Sequence, residues 1–381
     1  MVKKKLVMLL VAVVVIVGWV AVGCAPEAAP PPEEEAPPPE EEEEEEAPPA
    51  EEVITWKVQD SYDAANPAHV ISESFCKAVT KASGGRLVFK SFTGGSIAPV
   101  LKEAVQGVHP GVIEMCYTCP MYSLDTWPSA GLFSARPGQL PSESFCIWYN
   151  QYNGGEGWKL INKMVEGYNL YVLKGAAPRP AEIWAHSTVP IKAVEDIKGL
   201  RIRTAGDGGA VLSRMGASVV LLPGGELYEA MQRGVIDAFE YSNSSVNWDM
   251  GFQEIAEYLI FSATRAPSDP LMFFANKDAW EELPDDLKQL VEDEALRWTQ
   301  EHNESEFVKC IAAVQNFRDF GCDLSHLPAD VESAFLAEAA AFYAEKAAEE
   351  EPIYGEILDS MAAWGKAYAE YMTLDAPLVA G

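Results

Sequence analysis

Cys116 and Cys119 are separated by Tyr-Thr and followed by Pro120, the spacing of a dithiol redox pair in which one thiolate attacks and the other resolves. No second pair and no nearby His completes a zinc tetrad. The run Gly111-Val-Ile-Glu-Met115 before the motif reads as a buried strand entering a loop, so packing competes with redox chemistry there. The other cysteines beyond Cys24 are Cys76, Cys146, Cys310 and Cys322, and spacing alone does not select a disulfide pairing among the six. His69, His109, His186, His302 and His326 are scattered, with no His-x-His or His-Glu-x-x-His. No Ser-His-Asp order, nucleophile elbow or phosphate loop is evident. These patterns nominate no enzyme. Arg201 and Arg203 are of another kind. They flank Ile202 in a β-rich run, so alternation puts them on one face of a strand, and a guanidinium presents two parallel N–H donors to a carboxylate.

Short apolar, β-rich runs alternate with amphipathic helical stretches, the pattern of an α/β fold. Thr55–Gln59 reads as a strand, Ala68–Ser83 as a helix with Val70, Ile71, Phe75, Ala78 and Val79 on one face, and Gly84-Gly85 as its stop. Arg86–Phe92 is a second strand, Pro99–Gln106 a short helix and Val112–Cys116 a buried strand. A second series runs from Leu170. Strands are expected at Leu170–Leu173, Ile183–His186, Leu200–Arg203, Ser218–Leu222 and Val235–Glu240, with helices at Val194–Lys198, Gly208–Met215 and Gly225–Arg233. Two similar units in succession suggest two lobes facing one another. The last third is helical: Pro284 to about Phe320, with a kink or break expected near Glu301–Ser305, then Val331–Glu350 and Pro352–Met372. Trp364, Tyr368 and Tyr371 are expected to pack on a lobe.

The chain has 381 residues, 28 basic and 58 acidic side chains, and a net charge of −30. Residues 25–52 consist of 13 Glu, 9 Pro and 6 Ala. Setting aside those 13 Glu and the three Lys before them leaves −20 on the 329 residues from Val53 onward. That length is enough for two ordinary cores, and so acidic a surface repels phosphate backbones, which argues against nucleic acid as a partner. After the linker no apolar run approaches the ~20 residues of a spanning helix.

Lys3, Lys4 and Lys5 precede the apolar Leu6–Val22 run, and small residues lead to Gly23-Cys24, as in an export signal. The arrangement resembles a bacterial lipoprotein signal peptide over residues 1–23, with Cys24 the lipidated residue. Residues 24–52 then form a disordered Pro/Glu tether: Pro removes donors, and adjacent Glu side chains repel. At ~3.1 Å per residue it reaches up to roughly 85 Å. The globular part is thereby expected to lie outside the cytoplasmic membrane, held to it by lipid.

Three runs carry a family likeness: Val194-Glu-Asp-Ile-Lys-Gly-Leu-Arg-Ile-Arg203, Gly216-Ala-Ser-Val-Val-Leu-Leu-Pro223 and Gly225-Glu-Leu-Tyr-Glu-Ala-Met-Gln-Arg-Gly-Val-Ile-Asp-Ala-Phe-Glu240. With Phe92-Thr-Gly-Gly-Ser-Ile97, Glu103–Val108, Phe252–Tyr258 and Phe273–Trp280, the chain resembles the solute-binding protein of a TRAP (tripartite ATP-independent periplasmic) transporter over residues 53–345, nearest the branch that binds 2-oxo and 2-hydroxy acids. The resemblance implies a two-lobed periplasmic-binding fold with a ligand cleft. Residues 53–178 plus 266–305 would form one lobe, and 179–265 plus 306–381, with the long C-terminal helices, the other. It implies no catalysis, no obligatory cofactor, and two integral membrane subunits as partners.

In the family the arginine at the position of Arg203 grips the ligand carboxylate; Arg201 is expected to be structural. A Glu at Glu240 and the backbone at Tyr241 ligate a Na⁺ or Ca²⁺ ion in that branch, and a further ligand, usually Gln, falls near Glu182, where this chain departs from the pattern. Tyr117, Tyr122, Trp184 and Trp248 stand at or beyond expected strand ends, where ligands meet open α/β sheets. They are candidates for the cleft walls, Asn243 and Asn247 weaker ones, while Phe273 and Phe274 read as core. Two other readings remain beside an organic-acid receptor: a ligand-sensing lipoprotein docking on a signalling partner, and a surface thiol oxidoreductase using Cys116 and Cys119. The long amphipathic helices leave room for a dimer.

Overall fold

The computed structural model describes residues 53–176 and 179–375. The signal sequence, Cys24 and the Pro/Glu tether lie outside the described residues. Among the described residues the strands are β1 (Ile54–Asp60), β2 (Leu87–Phe92), β3 (Met115–Thr118), β4 (Leu170–Val172), β5 (Ala185–Ser187), β6 (Arg201–Arg203), β7 (Ser218–Val220), β8 (Ala238–Phe239), β9 (Tyr258–Phe261), β10 (Met272–Asn276) and β11 (Asp323–His326). They form two mixed sheets, ordered β2-β1-β3-β10-β4 and β11-β9-β5-β8-β6-β7. In the first, β1 is parallel to β2 and β3, and β10 runs antiparallel between β3 and β4. In the second, β6 is parallel to β7 and β8, while β5 is antiparallel to β8 and β9.

The α-helices are α1 (Pro67–Ala82), α2 (Ser142–Asn150), α3 (Glu156–Met164), α4 (Gly206–Arg214), α5 (Leu227–Gln232), α6 (Ser244–Asp249), α7 (Lys277–Glu282), α8 (Asp285–Phe320), α9 (Ala329–Glu349) and α10 (Pro352–Asp375). Local chemistry explains α1. Asn66 caps it by accepting from the Ala68 N–H, Pro67 opens the first turn, and Ile71, Phe75 and Val79 recur on the buried face. Phe75 then stacks on Phe273 of β10, ring centroids 4.2 Å apart, and meets the edge of Trp298 of α8.

Two expectations are corrected. The strand expected at Val112–Cys116 starts later, at Met115, because Gly111 takes a left-handed φ of 77° and residues 107–113 fold into hydrogen-bonded turns; Val112 is exposed. The break expected near Glu301–Ser305 is absent: α8 runs unbroken for 36 residues, about 54 Å at 1.5 Å per residue. Kinks need Pro, Gly or an inserted group, and α8 contains neither residue, ending only at Gly321 with φ 101°. Helix α10, grouped by sequence with the second lobe, packs both on α9 and beside α2 and α3, in the connection between β3 and β4 of the first sheet. Trp364 donates to the Ser144 carbonyl at 3.0 Å, and Trp148 donates to Ser360 Oγ at 3.0 Å. Helix α9 sits on the second sheet's side, where Glu338 and Glu345 hold Arg214 of α4.

The chain crosses between the sheets three times: from Val172 to Ala185, from Phe261 to Met272, and along α8 to β11. No described helix is long and apolar enough to cross a membrane.

Candidate functional site

The crossings carry the buried charges. Arg179 and Glu182 lie on the first, Arg265 and Asp269 on the second, and Glu306 on α8, each at most 5 % exposed. Between the sheets they meet the ends of β6 and β8, and a cleft forms there. Its walls include Tyr62, Tyr122, Arg179, Arg203, Glu240, Tyr241 and Asp269. The free volume is about 20 Å³, room for about one water molecule. A larger groove of about 660 Å³ between α2 and α8 is lined mostly by exposed or half-buried side chains and holds no comparable set of buried charges.

Strand β6 separates its two arginines. Arg201 is exposed and its guanidinium is held by Asp237 and by the Gly234 carbonyl, a surface arrangement. Arg203 is buried: Nε donates to the Leu222 carbonyl at 3.0 Å, Nη1 donates to the Glu240 carbonyl at 2.6 Å, and the guanidinium lies over the Tyr241 ring at 5.7 Å. Tyr241 reaches across the cleft, its hydroxyl accepting from Asn66 Nδ2 at 2.6 Å. Gly224 makes space for that ring, since a Cβ there would collide with it.

Behind the wall, Arg265 joins two acids. Its Nη2 donates to Glu182 Oε2, and its Nη1 lies 3.2 Å from Glu240 Oε2. The other oxygen of Glu240 accepts from the Ala205 N–H and faces Arg203 Nη1 at 3.3 Å. Burial would push Glu240 up, but Arg265 and then Arg203 bring it below the usual range, so it is ionised. Glu182 is pushed well up by burial, against the pull of Arg265. Asp269 also rises by burial and accepts from Cys119 Sγ at 3.0 Å.

Arg203 and Arg265 each have a carboxylate at ion-pair distance, whereas Arg179 has no ion pair among the described residues. It is 3 % exposed, and neither Nε nor Nη2 has a hydrogen-bond partner among the described residues. Burial alone would lower its pKa, but Glu306, Tyr62 and Asp269 more than compensate, so it keeps its charge.

Of the residues singled out by sequence, Arg203, Glu240, Tyr241 and Tyr122 come together at the cleft. Glu182 does not line it; its carboxylate is turned to Arg265. Trp184 is fully buried in the core, edge-on to Phe335. Tyr117 stacks on Phe273 at 4.6 Å beneath the first sheet, and Trp248 packs edge-on against Phe317 at 5.2 Å. A strand-end aromatic faces a cleft only where the sheet is bare; α8 covers Tyr117, α9 covers Trp184, and Trp248 lies within α6 itself. Asn243 caps α6, and Asn247 donates to the Ser242 carbonyl. Phe273 and Phe274 are core. The carboxylates assigned to a cation do not fit one: Glu240 accepts from the Ala205 N–H through Oε1 and has Arg265 at ion-pair distance from Oε2, Glu182 is paired with Arg265, and among the described residues no group of three or more His, Cys, Asp or Glu is placed to hold a metal ion.

The redox reading of Cys116 and Cys119 does not suit their surroundings. Both are buried free thiols, and desolvation pushes each well above its ordinary value, the reverse of a reactive thiolate. The other four described cysteines are free as well. Arg179, Arg265 and Asp269 escaped sequence reasoning because they stand in crossings without periodicity; a charged residue in each of two short segments between strands was the available signal.

Residues 60–350 match the family described as bacterial extracellular solute-binding protein, family 7. A monocarboxylate 2-oxoacid-binding periplasmic protein of Nostoc sp. is 28% identical over 237 residues, 62% of this chain and 64% of that protein, so the chain spans a little under two thirds of this relative's length. A solute-binding protein of Chromohalobacter salexigens is 25% identical over 76% of this chain and 83% of its own. Among solved structures, a TRAP transporter solute-binding protein of Bordetella bronchiseptica, with calcium and picolinate, has a TM-score of 0.80 at 19% identity, covering 85% of this chain and 95% of that one. One from Colwellia psychrerythraea, with calcium and pyruvate, has a TM-score of 0.78 at 23% identity, covering 85% and 98%. Two mixed α/β sheets joined by repeated crossings, a cleft of buried arginines and a match over most of the described residues agree: the chain belongs to the bacterial extracellular solute-binding protein family 7, the solute-binding proteins of TRAP transporters.

Proposed function

We propose that this protein is an extracytoplasmic receptor that closes on a small organic acid and presents it to the membrane subunits of a TRAP transporter, making and breaking no bond. One observation carries the reading: the buried Arg179 guanidinium faces the cleft with Nε and Nη2 unpartnered. Such a group is costly to leave without an acceptor, and two adjacent N–H donors match one carboxylate. Arg203 is steadied by the Leu222 and Glu240 carbonyls, so its remaining donors would meet the same anion from the other wall.

The first sheet with residues to about 178 and 266–305 would form one lobe, and the second sheet the other. A cleft of about 20 Å³ admits an acid only when the lobes part, and hinge closure would then bury it. The Nostoc relative's name supports a monocarboxylate 2-oxoacid as ligand. The Lys-rich, apolar and Gly23-Cys24 sequence at the N-terminus supports lipid anchoring.

Calorimetric titration of the full chain with 2-oxo and 2-hydroxy acids, pyruvate first, tests the reading. Saturable binding with one ligand per chain is expected; no heat from any acid, with or without Na⁺ or Ca²⁺, would end it.

A further inference from the structure

Glu240 of the cleft wall and Glu182 behind it share one countercharge from inside the chain. Arg265 is 1 % exposed and contacts Glu182 through Nη2 and Glu240 through Nη1. Its stem is accommodated by Gly208, where a Cβ would stand 3.2 Å from Arg265 Cγ. Arg265 is not a cleft-lining residue; it lies behind the wall that Glu240 forms. We propose that the Arg265 guanidinium supplies the fixed positive charge that the resemblance assigned to a bound Na⁺ or Ca²⁺, so that this receptor takes up its acid without a metal. The proposal rests on the cleft being the ligand site.

Coordination chemistry separates the two arrangements. Calcium needs six to eight oxygens at about 2.3–2.6 Å, whereas a guanidinium needs acceptors at hydrogen-bond distance and in its own plane. Here Glu240 Oε1 is taken by the Ala205 N–H and the Glu240 carbonyl by Arg203 Nη1, so the oxygens an ion would collect already meet protein donors. Arg265 also donates toward the Ile183 carbonyl at 3.4 Å, which ties the first crossing to the second. A covalently tethered cation cannot be diluted or chelated away, and the affinity of the cleft then does not follow external Na⁺ or Ca²⁺. Removing Arg265 would leave Glu182 and Glu240 without their internal countercharge, and carboxylates freed from it can turn toward a divalent ion.

The test has two independent arms. The full chain is titrated directly with CaCl₂ and NaCl, and its pyruvate Kd is measured after exhaustive chelation in sodium-free buffer and again with each ion restored. No stoichiometric ion binding and a pyruvate Kd constant within about twofold, under 0.5 kcal/mol, are expected. Stoichiometric Ca²⁺ or Na⁺ binding, or a tenfold loss of pyruvate affinity in chelator, would overturn the proposal. If pyruvate and its analogues fail to bind under every condition, the ligand assignment falls, and the direct ion titration still decides the role of Arg265. Arg265→Met is expected to gain a Ca²⁺ site and to bind pyruvate tenfold or more tightly with Ca²⁺ than without, whereas Arg265→Lys stays independent of metal. A folded Arg265→Met variant that gains no Ca²⁺ binding counts against the idea, and should that variant fail to fold, the two measurements on the unaltered chain stand alone.

Discussion

Beneath the first sheet, the buried groups are rings that answer one another. Trp56 stacks on Phe89 at 5.4 Å, Phe75 on Phe273 at 4.2 Å, and Tyr117 on Phe273 at 4.6 Å, with Trp298 of α8 closing the cluster. Where the chain crosses between the sheets, burial is just as deep but the groups are Arg179, Glu182, Arg265 and Asp269. The apolar cluster is complete as it stands, since dispersion and water exclusion need nothing more. In the charged zone Arg265 stands at ion-pair distance from two carboxylates, although its Nε and Nη1 make no hydrogen bond, whereas Arg179 has no ion pair among the described residues and its Nε and Nη2 are unpartnered. On the proposed reading, the first region carries stability and the second carries recognition.

The sharpest way to break that division is to damage each side and ask which property fails. Phe75→Ala, in the ring cluster, is expected to lower unfolding free energy by about 3–5 kcal/mol with the pyruvate Kd unchanged, read by chemical denaturation and calorimetry. Arg179→Ala should do the opposite. Affinity is expected to fall by two orders of magnitude, about 3 kcal/mol. The stability of the ligand-free protein should fall much less than in Phe75→Ala, because Arg179 makes no hydrogen bond through Nε or Nη2 and Glu306 retains Lys309 at 3.1 Å. Equal losses of stability and affinity in either variant would dissolve the distinction.

A smaller effect comes from a buried acid on the first sheet's side. Glu103 is 1 % exposed, accepts from Ser61 Oγ at 2.8 Å, and is pushed up to about 7 by burial, against the hydrogen bonds that lower it. The folded state therefore holds this proton more tightly than the unfolded chain does. Stability from Glu103 is fully present below the unfolded value near 4.5, falls as pH rises toward 7, and is absent above it. Glu103→Gln is expected to flatten this part of the pH profile and to raise stability at pH 8 by about 2 kcal/mol, measured by denaturant titration at several pH values. An unchanged slope between pH 5 and 8 would show that Glu103 is not desolvated.

Much of this division was legible in the sequence, and unevenly so. Helix α1 declared itself through Asn66, Pro67 and an apolar face, and Phe273-Phe274 read as core, because period and capping are local facts. The unbroken α8 was misread, since a polar stretch at Glu301–Ser305 resembles a break although nothing in it interrupts the hydrogen-bond ladder. Arg203 and Glu240 stood inside a recognisable motif. Arg179 and Arg265 did not: side-chain direction in an irregular crossing depends on contacts with segments some eighty residues away, as between Glu182 and Arg265, and no periodicity encodes it. For the same reason strand-end aromatics were placed at the cleft, although Tyr117 and Trp184 are covered by helices and face the core.

The smallest expected effect concerns Cys116 and Cys119, which lie where the two regions touch: Cys116 belongs to an apolar core cluster, whereas Cys119 donates to Asp269 of the second crossing. Both thiols are desolvated and raised, so neither should behave as a nucleophile in the folded chain. Among the described cysteines, labelling with a chromogenic disulfide at neutral pH is expected to reach only the half-buried Cys146 and Cys322, and slowly, since burial raises Cys146 to about 12. Cys116 and Cys119 should appear only with denaturant, on the unfolding curve that Phe75→Ala displaces. Cys119→Ala should leave pyruvate affinity within about twofold, because Asp269 loses one donor but neither arginine facing the ligand changes partner. Prompt labelling of Cys119 in the native state, accelerated or protected by pyruvate, would mean that this strand end opens with the cleft, and the boundary between the stable region and the recognising one would have to move inward past β3.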